Sequence, residues 1–523
     1  MFCLINFGIH AAIDLVWTNS QTSLFSITTA TNLQWHTGYG VRNKFTRGCT
    51  NNVTDSIDCQ LRKRVCDDSV LRFIKGWLTK CGLVRVPVML EIAGSQQLNS
   101  LRKARSIFLL LRAWQSGPLR GKTWLELEIP GKGYNPLLPD RIRAVRPGCM
   151  KHGVRVITNM GAANPVKAAR RVCEIANELG FSGLRAAVVL GDDVRNVVVG
   201  TPELELIETG MHLEEILPKM ASVNAYLGAD AILAALHTGA EVIITGRVSD
   251  LSLFLAPILY HLNWSYNDYA GLACGTVAGH LLECAGQVTG RYFADPGRKD
   301  VSGLARLGFP FADVDQKGVV EIGKVKGSGG RIDERTCAEQ LLYEVHDPSC
   351  YITPDCVLDV TDVHFETTGQ NRVRVVGARA RARTETHKVS VGYHDGYIGM
   401  GEISYAGINS VARARLAGEV VADRLKMCGF VYENFRTELI GMESLHGKME
   451  TQLEPYEVRL RVAGRSAFRR SVVAIGLEVE TLYTNGLAGG AGATQVVRDL
   501  FAVQSVLLPR QLVNPSVRVG QLT

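Results

Sequence analysis

The stretch that decides the fold is residues 154–190, VRVITNMGAANPVKAARRVCEIANELGFSGLRAAVVL. It opens on β-branched residues and then reaches Asn164 and Pro165, a helix N-cap followed by proline at the first helical position. Apolar residues recur at helical spacing up to Gly180, a glycine placed where helices commonly end. A second apolar run, residues 184–190, follows. The stretch therefore predicts strand, helix, strand, which is a parallel pair joined by a right-handed crossover.

The same alternation continues along the chain. A helix is predicted over residues 224–238, a strand over 241–245 and another helix over 248–260. Because strands joined through helices form parallel sheets covered on both faces, we predict an α/β fold with a parallel-sheet core and helices on both faces. A smaller α+β C-terminal unit is predicted to follow. The further elements expected are strands at 355–363, 372–376 and 387–393, helices at 410–426 and 466–484, and apolar runs at 458–462 and 497–508.

The first 147 residues differ from the rest in composition. They contain five of the six tryptophans and all of the positive excess behind the net charge of +7, whereas residues 151–523 are mildly acidic. They show no sustained periodicity, and residues 131–147 are rich in glycine and proline, as linkers are. A small separate domain, a poorly ordered extension and a wrongly chosen translation start all fit this segment. We divide the chain into an atypical basic segment, 1–147, an α/β core, 148–435, and a C-terminal α+β unit, 436–523.

Composition restricts the classes of protein to which the chain can belong. With 46% hydrophobic and 21% charged residues, it predicts a globular protein, and no apolar run is long enough for a membrane helix. Its 13 cysteines include no CxxC pair, so neither a zinc framework nor a disulfide scaffold is predicted. Residues 1–19 lack a basic start and contain Asp14, which argues against a signal peptide. We expect a cytoplasmic protein that binds neither nucleic acid nor membranes.

Polar residues follow the three predicted strands of the core, where an open parallel sheet binds its ligands. Asn159 follows the first strand, Asp192 and Asp193 the second, and Arg247 and Asp250 the third. Arg247 could bind a substrate carboxylate or phosphate through two hydrogen bonds, with Asn159 and Asp250 beside it. Asp192 and Asp193 could bind a divalent metal ion or act as a base. The structural alternative is that Asp250 caps a helix and Arg247 pairs with it.

A second candidate site is the sequence GHLLEC, residues 279–284. On a helix, His280 and Glu283 lie on one face, where they could share a proton or a metal ion as catalytic groups. Zinc proteases require the sequence HExxH, which is absent here. A capped helix with a hydrogen-bonded histidine explains the same residues.

A third candidate follows the strand predicted at 387–393. This strand delivers His394 and Asp395 into a glycine-rich loop, GYIGMGE, which begins at Gly396 and ends at Glu402. We predict that His394 and Asp395 form the catalytic base and that Gly396 and Glu402 contact the substrate. A hairpin explains the glycines equally well.

A fourth candidate is the segment 484–492, TNGLAGGAG, which precedes a candidate helix start at Thr494. Backbone N–H groups at Gly489 and Gly490 could bind a phosphate or an oxyanion of the substrate. The segment lacks the Gly-Lys-Ser/Thr of a Walker loop. No GxGxxG follows a predicted strand, so the sequence carries no NAD or FAD fingerprint.

Seven segments occur in a fixed order along about residues 148–515, and together they resemble the acyclic terpene utilisation (AtuA-like) family. The segments are TNMGAANP (158–165), NAYLGA (224–229), ITGRVSD (244–250), GTVAGH (275–280), FADPG (293–297), KVSVGYHDG (388–396) and YTNG (483–486). The resemblance implies a cytoplasmic protein of acyclic monoterpenoid catabolism, with citronellol or geraniol as the starting compound, or of branched acids carried as CoA thioesters. It also implies a small ferredoxin-fold partner domain, which is not recognisable in this sequence. We further expect a homo-oligomer.

The N-terminal segment departs from the family pattern. Family members usually begin with a short strand and a glycine-rich Ser-Gly-Phe-x-Gly-Asp segment, and neither is recognisable in residues 1–147. If that strand is missing, the sheet has an unpaired edge and the candidate site is incomplete.

Two functions follow from the resemblance and the candidate residues. The first is an enzyme that acts on a branched acyl-CoA by lyase or hydratase chemistry, with Arg247 as anion anchor and His394 with Asp395 as base. Backbone amides near Gly396 or Gly489 would stabilise the oxyanion formed next to the thioester. The alternative is a non-catalytic binding or assembly subunit of an acyl-CoA-processing complex. No cofactor is identified, and a divalent metal ion at the two adjacent aspartates is the one candidate.

Overall fold

The computed structural model describes residues 84–89, 108–111, 133–447 and 454–520, all of which belong to the compact unit Asp67–Thr523. Within these residues, no helix is both long and apolar enough to cross a lipid bilayer. The three alternatives raised for the N-terminal segment fall mostly on residues outside the described ranges.

Helices and strands alternate through the described residues. The helices are α1 (Leu138–His152), α2 (Pro165–Glu178), α3 (Arg195–Val199), α4 (Ala229–His237), α5 (Ser252–Leu262), α6 (Tyr269–Glu283), α7 (Glu334–Leu341), α8 (Ser410–Met427) and α9 (Arg469–Asn485). The strands are β1 (Val84–Met89), β2 (Phe108–Leu111), β3 (Arg155–Thr158), β4 (Ala186–Leu190), β5 (Met220–Ala225), β6 (Val242–Thr245), β7 (Pro310–Val314), β8 (Val320–Lys324), β9 (Tyr351–Ile352), β10 (Val357–Asp359), β11 (His364–Gly369), β12 (Arg372–Val376), β13 (Arg379–Arg381), β14 (Thr386–Ala406), β15 (Asn434–Ile440), β16 (Glu457–Ser466), β17 (Ala491–Pro509) and β18 (Ser516–Gly520).

The largest sheet has a parallel centre and antiparallel flanks. Its strand order is β11-β12-β8-β7-β1-β2-β3-β6-β4-β18, and the neighbours from β1 to β4 run parallel. Successive residues of a strand point to opposite faces, and here both faces are buried. Val156 and Ile244 pack with α1 and α2 on one face, whereas Ile157 and Ile243 belong to the core that contains α4, α5 and α6. The predicted parallel-sheet core with helices on both faces is confirmed.

Two strands from the N-terminal segment complete this sheet. β2 pairs with β3 in parallel, and β1 lies between β2 and β7. Strand β3 therefore has a neighbour on each side, β2 and β6. The expectation of an unpaired edge at this place is wrong. The sequence of β2, FLLL, is apolar throughout, as strands inside a parallel sheet are. A search for alternating apolar residues misses such a strand.

The segment 131–147, predicted as a linker, forms most of helix α1 instead. Pro139 lies in the first turn, where proline is tolerated, and the helix ends at Gly153, whose φ of 63° suits glycine. Ile142 and Cys149 belong to an apolar stripe that is buried in the core with α2. The linker prediction is wrong because glycine and proline content says less about this segment than the spacing of its apolar residues.

A second sheet forms the C-terminal part of the described chain. Its order is β15-β16-β14-β17, β5 pairs with the first part of β14, and α8 and α9 share its core. Strand β14 takes part in two cores, since Val389 and Val391 belong to that of the main sheet and Ile403 and Tyr405 to that of α8 and α9. Strand β18 returns to the first sheet beside β4. The domain boundary at residue 436 stays a prediction, and β14 and β16 pair across it.

Several predicted elements agree with the structure, and two positions predicted to be helical lie in strands instead. The strand predicted at 372–376 and the helices predicted at 410–426 and 466–484 are confirmed as β12, α8 and α9. Residues 224–225, predicted to start a helix, end β5 because they pair with β14. Thr494, the candidate helix start, lies in β17 and also pairs with β14. Strand pairing overrides local propensity at both places.

The predicted glycine-rich loop is the middle of β14, where pairing with β16 and β17 continues past the glycines. Gly396 lies in a β-bulge and has a φ of 85°. Gly399 has no room for a side chain, since a Cβ there would lie 2.2 Å from the carbonyl oxygen of Val472 in α9. Gly401 faces α9 in the same way. The loop prediction is wrong because these glycines let α9 pack closely on the sheet.

Candidate functional site

A cleft of about 570 Å³ opens beyond the carboxyl end of β6, at the edge of the sheet where parallel sheets bind ligands. Its walls come from the segments after β5, β6, α6 and α7, from β9 and from the start of β14. The charged and histidine side chains that line it are Arg247, Asp250, Glu283, Glu344, His387 and Lys388. The cleft therefore places cations and carboxylates around one cavity.

Arg247 is buried in the wall of this cleft and is positioned from two sides. Its guanidinium carbon lies 3.8 Å from the centre of the Tyr226 ring, which is a stacked cation–π arrangement. Its backbone N–H donates to Asp192 Oδ2 at 2.7 Å. A planar guanidinium held in this way is suited to binding a carboxylate or phosphate.

Asp192 and Asp193 follow β4 as predicted, but their side chains lie in different surroundings. Asp192 is buried and also accepts from Asn224 Nδ2 at 3.1 Å. Burial raises the pKa of Asp192 from 3.8 to about 6, and its hydrogen bonds act in the opposite direction. Gly246 permits the close approach of this carboxylate, because a Cβ there would lie 2.5 Å from Oδ2. Asp193 is exposed and accepts from the backbone N–H of Arg195.

Asn159 and Asp250 meet beside Arg247. Asn159 is buried at the end of β3 and donates from Nδ2 to Asp250 Oδ1 at 3.1 Å. The contact arises because β3 and β6 are parallel neighbours, so the residues that follow them lie side by side. The N-cap residue of α5 is Leu251, without a side-chain hydrogen bond, so Asp250 is not the cap that the structural alternative requires. The structure therefore brings three of the predicted residues together.

His280 and Glu283 share one face of α6, as predicted, and Glu283 reaches the cleft. His280 Nδ1 lies 3.6 Å from Glu283 Oε1, and both side chains are buried. Nε2 of His280 lies 3.0 Å from the carbonyl oxygen of Leu341 in α7. Burial lowers the pKa of His280 from 6.5 to about 4, while the carbonyl groups of Leu341 and Gln340 act in the opposite direction. The ring lies edge-on to that of cleft-lining Tyr351, so the histidine is directly behind the cleft wall.

A second buried histidine, His387, also lines the cleft. Its Nδ1 lies 3.0 Å from the Tyr226 carbonyl oxygen, and its Nε2 lies 3.2 Å from Nη1 of Arg510. Since a carbonyl only accepts and a guanidinium only donates, the ring is neutral with its proton on Nδ1. Burial, and then the positive charge of Arg510, lowers the pKa of His387 from 6.5 to about 4. Arg510 also donates to the carbonyl oxygens of Thr384 and Pro354, so its side chain bonds to three residues of the cleft wall, counting His387.

Asp355 is a buried carboxylate next to the cleft-lining residues 351–354. It accepts hydrogen bonds from the backbone N–H of Ala229 and from the hydroxyl groups of Ser252 and Tyr266. Ala229 and Ser252 are the first residues of α4 and α5, so one side chain holds both helix N-termini. Burial raises the pKa of Asp355 above its usual 3.8. Asp355 therefore positions the two helices that support the loops carrying Tyr226 and Arg247.

The predicted residues of the distal half of β14, here residues 394–406, lie outside the cleft lining. His394 is seven residues beyond His387 on the same strand, or about 23 Å at roughly 3.3 Å per residue. Its Nε2 lies 3.5 Å from Asp499 Oδ1 in β17. Asp395 forms an ion pair with Arg465 of β16 at 2.8 Å. These two residues thus make contacts within the second sheet.

Glu402, Gly396, Gly489 and Gly490 also lie apart from the cleft lining. Glu402 forms ion pairs with two arginines of β16, at 2.7 Å and 3.3 Å. Gly396 is the bulge residue of β14. Gly489 lies against Arg413 of α8, since a Cβ there would be 2.7 Å from an Nη1 atom of that arginine. The catalytic and binding roles assigned to these residues stay predictions.

The side chains around the cleft support anion binding and proton transfer. Arg247 and Lys388 supply positive charge, and Asp250, Glu283 and Glu344 supply acidic groups. In the described part of the chain, no group of three or more His, Cys, Asp or Glu side chains is arranged to hold a metal ion. The metal role of the two aspartates after β4 stays a prediction.

Several lining residues have no motif of their own. Tyr226 and Lys388 lie inside the quoted segments NAYLGA and KVSVGYHDG, so those segments are the signal that could identify them. His387 directly precedes the second segment. Glu344 and Tyr351 come from the loop after α7 and from β9, and nothing in their local sequence points to a site.

A comparison with known proteins supports the resemblance. The family model described as acyclic terpene utilisation family protein AtuA matches residues 119–519. No curated protein and no solved structure matches the chain. The matched range starts before residue 148, the start expected from the quoted segments, and contains every residue that lines the cleft.

Proposed function

This chain belongs to the acyclic terpene utilisation family, and we propose that it is an enzyme of acyclic monoterpenoid or branched acyl-CoA catabolism. Its substrate would lie in the cleft beyond β6, and its reaction would be a lyase or hydratase reaction. The observation that carries this proposal is the buried guanidinium of Arg247, stacked on Tyr226 in the wall of a cleft of about 570 Å³. A cation fixed in this way suits a substrate with an anionic end.

Lyase and hydratase reactions next to a carbonyl require a base, an acid and a group that stabilises the oxyanion. Asp250 is positioned by Asn159 next to Arg247 and is the candidate base within the cleft. His394 is the candidate base outside it, on the distal half of β14. Glu283, buried at the end of α6, is the candidate acid. In many enzymes, two carboxyl groups that differ in burial act one as the acid and the other as the base.

The alternative function, a non-catalytic binding or assembly subunit, is supported by a different observation. Several large apolar side chains of the C-terminal part are 70% to 91% exposed, namely Ile408, Met427, Leu445, Tyr456 and Phe468. Exposed apolar side chains of this size are frequent at protein–protein contacts. A subunit of this kind would bind its partner tightly and show no turnover.

The binding part of the proposal can be tested by thermal unfolding of the full chain with branched acids and their CoA thioesters. A ligand at one hundred times its dissociation constant stabilises the folded state by about 2.7 kcal/mol. Arg247→Met should weaken that ligand roughly tenfold to one hundredfold, since a charged hydrogen bond contributes about 1.5–3 kcal/mol. The control Arg298→Met, at a side chain that is 84% exposed, should leave binding unchanged. Equal binding by both variants would remove Arg247 from the site.

The catalytic part requires turnover of a bound ligand by the isolated chain. If turnover is found, the variants Asp250→Asn and His394→Ala identify the base. The variant that lacks the base should remain folded and lose activity. Unchanged turnover in His394→Ala would remove that residue from the mechanism. Tight binding without turnover, together with co-purification of an acyl-CoA carboxylase, would favour the assembly subunit.

A further inference from the structure

The cleft beyond β6 differs in polarity between its floor and its mouth. The floor is defined here as the six lining residues that are buried, five of which are polar or charged. They are Arg247, Ser249, Leu251, Glu283, Thr353 and His387. The mouth is defined as the four lining residues that are exposed, because such residues contact both the cavity and the solvent. They are Glu344, Ile352, Lys388 and Leu507.

Two of the four mouth residues are large aliphatic side chains. Ile352 of β9 is 58% exposed and Leu507 of β17 is 50% exposed, so two separate strands bring apolar surface to the opening. The apolar surface continues beyond them, since the ring of cleft-lining Tyr343 lies 5.7 Å from that of Tyr292, which is 63% exposed. Covering such surface with hydrocarbon removes it from water and is favourable. The mouth therefore suits the hydrocarbon part of a ligand.

The floor suits the charged end of the same ligand. Arg247 is 6% exposed, and a guanidinium has five N–H donors, so it can bind a carboxylate in addition to its contacts within the protein. Hydrocarbon placed against the floor would exclude water from polar groups without replacing their hydrogen bonds, which is unfavourable. The cleft therefore favours a ligand whose carboxylate enters first and whose hydrocarbon chain points toward the mouth.

A CoA thioester fits this arrangement poorly in either orientation. Its acyl group has no anionic end, because the carboxyl group is bonded to the thiol of CoA. With the acyl group at the floor, hydrocarbon would face Arg247, and the polar CoA part would face Ile352 and Leu507. With the CoA part at the floor, several phosphate charges would meet one cation, since among the described lining residues the second cation, Lys388, lies at the mouth.

We propose that the cleft binds a free carboxylic acid with a hydrocarbon chain and discriminates against the CoA thioester of that acid. The carboxylate binds Arg247, and the chain leaves the cleft past Ile352 and Leu507. This inference rests on the proposed function, which leaves the acid and the thioester as alternatives, and it selects the acid. Ile352 and Leu507 are then the residues that determine the preference for chain length.

The first test is calorimetric titration of the full chain with octanoate, octan-1-ol and octanoyl-CoA. Octanoate should bind most tightly. The alcohol should bind roughly tenfold to one hundredfold more weakly, because it lacks the charged hydrogen bond to Arg247. The thioester should bind more weakly by roughly tenfold or more for the same reason. The comparison is repeated with 3,7-dimethyloctanoate and its CoA thioester, so that it also covers a branched chain.

The second test measures how affinity depends on chain length, from butanoate to decanoate. Each methylene group that is covered at the mouth should tighten binding by up to about fourfold. Ile352→Ser and Leu507→Ser should reduce this increment and leave the binding of butanoate nearly unchanged. The matched control is Leu477→Ser in α9, at a leucine that is also 50% exposed but does not line the cleft. It should keep the increment of the wild type.

Two results would overturn the inference while the proposed function stands. The first is that octanoyl-CoA or the branched thioester binds as tightly as its acid or more tightly. The second is that acids bind with the same increment per methylene group in the wild type, in both mouth variants and in the control. If neither the acids nor the thioesters bind, the proposed function fails and the inference fails with it.

Discussion

The cleft and the distal half of β14 contain the same kinds of side chain in different surroundings. At the cleft, His280 and Arg247 are 0% and 6% exposed. On β14, the side chain of His394 is 36% exposed, and the nearby acidic groups Asp395 and Glu402 form ion pairs with arginines of β16. The comparison shows that a dense run of reactive residue types in the sequence does not by itself mark a site. The cleft itself, with Arg247 and His280 buried at its wall, distinguishes the two regions.

The physical reason lies in the energy of charged groups in water and in the interior. Ion pairs on an accessible face of a sheet contribute about 0–1 kcal/mol each, so a row of them is a common surface feature. A buried polar group lowers stability unless its hydrogen bonds are satisfied, so it persists only where structure or function requires it. The two regions should therefore respond differently to substitution.

The largest difference is expected between removing a buried carboxylate and removing a partly buried one whose partners are accessible to water. Asp355→Ala should lower the free energy of unfolding by about 3 kcal/mol, because three buried donors lose their acceptor. Glu402→Ala should cost about 1 kcal/mol or less, because its arginine partners remain accessible to water. Denaturant unfolding of both variants measures the two changes. Equal losses would show that the β14 pairs matter as much as the buried network.

A smaller effect is expected at the glycines of β14. Gly399→Ala should lower stability by about 1–3 kcal/mol, because the new Cβ would overlap the backbone of α9 at Val472. The control Gly520→Ala introduces a methyl group with no atom within 4 Å, so its effect should stay within about 0.5 kcal/mol. Thermal unfolding of both variants checks this. A stable Gly399→Ala protein would restore the loop interpretation of these glycines.

A third effect concerns the change of stability per unit of pH. The pKa of His387 falls from 6.5 to about 4 on folding, so between these values the unfolded chain binds the extra proton and the folded chain does not. This contribution to stability is complete above about pH 6.5 and is lost as the pH falls toward 4. Between these pH values the free energy of unfolding should fall by about 1 kcal/mol per pH unit, a figure that allows for solvent at the cleft wall. The stability difference between wild type and His387→Gln should therefore shrink as the pH falls. A difference that is constant with pH would contradict the buried, neutral state.

Local sequence patterns predicted much of the fold and part of the cleft. The spacing of apolar residues identified β3, α2 and β4, and the rule that ligands bind beyond strand ends identified Asn159, Arg247 and Asp250. Helical spacing placed His280 and Glu283 on one face. These features depend on residues close in sequence or on neighbouring parallel strands, so their geometry follows from regular repeats.

The family, the α/β class and the pairing of residues on one helix face were determined by the sequence alone, because spacing and order carry that information. Only the tertiary structure decided which distant residues meet. The pairing of β5 with β14 brings His387 to Tyr226, and the length of β14 carries His394 away from the cleft lining to Asp499 of β17. Contacts of this kind depend on strand register and on close packing between elements far apart in the chain, which no local pattern encodes.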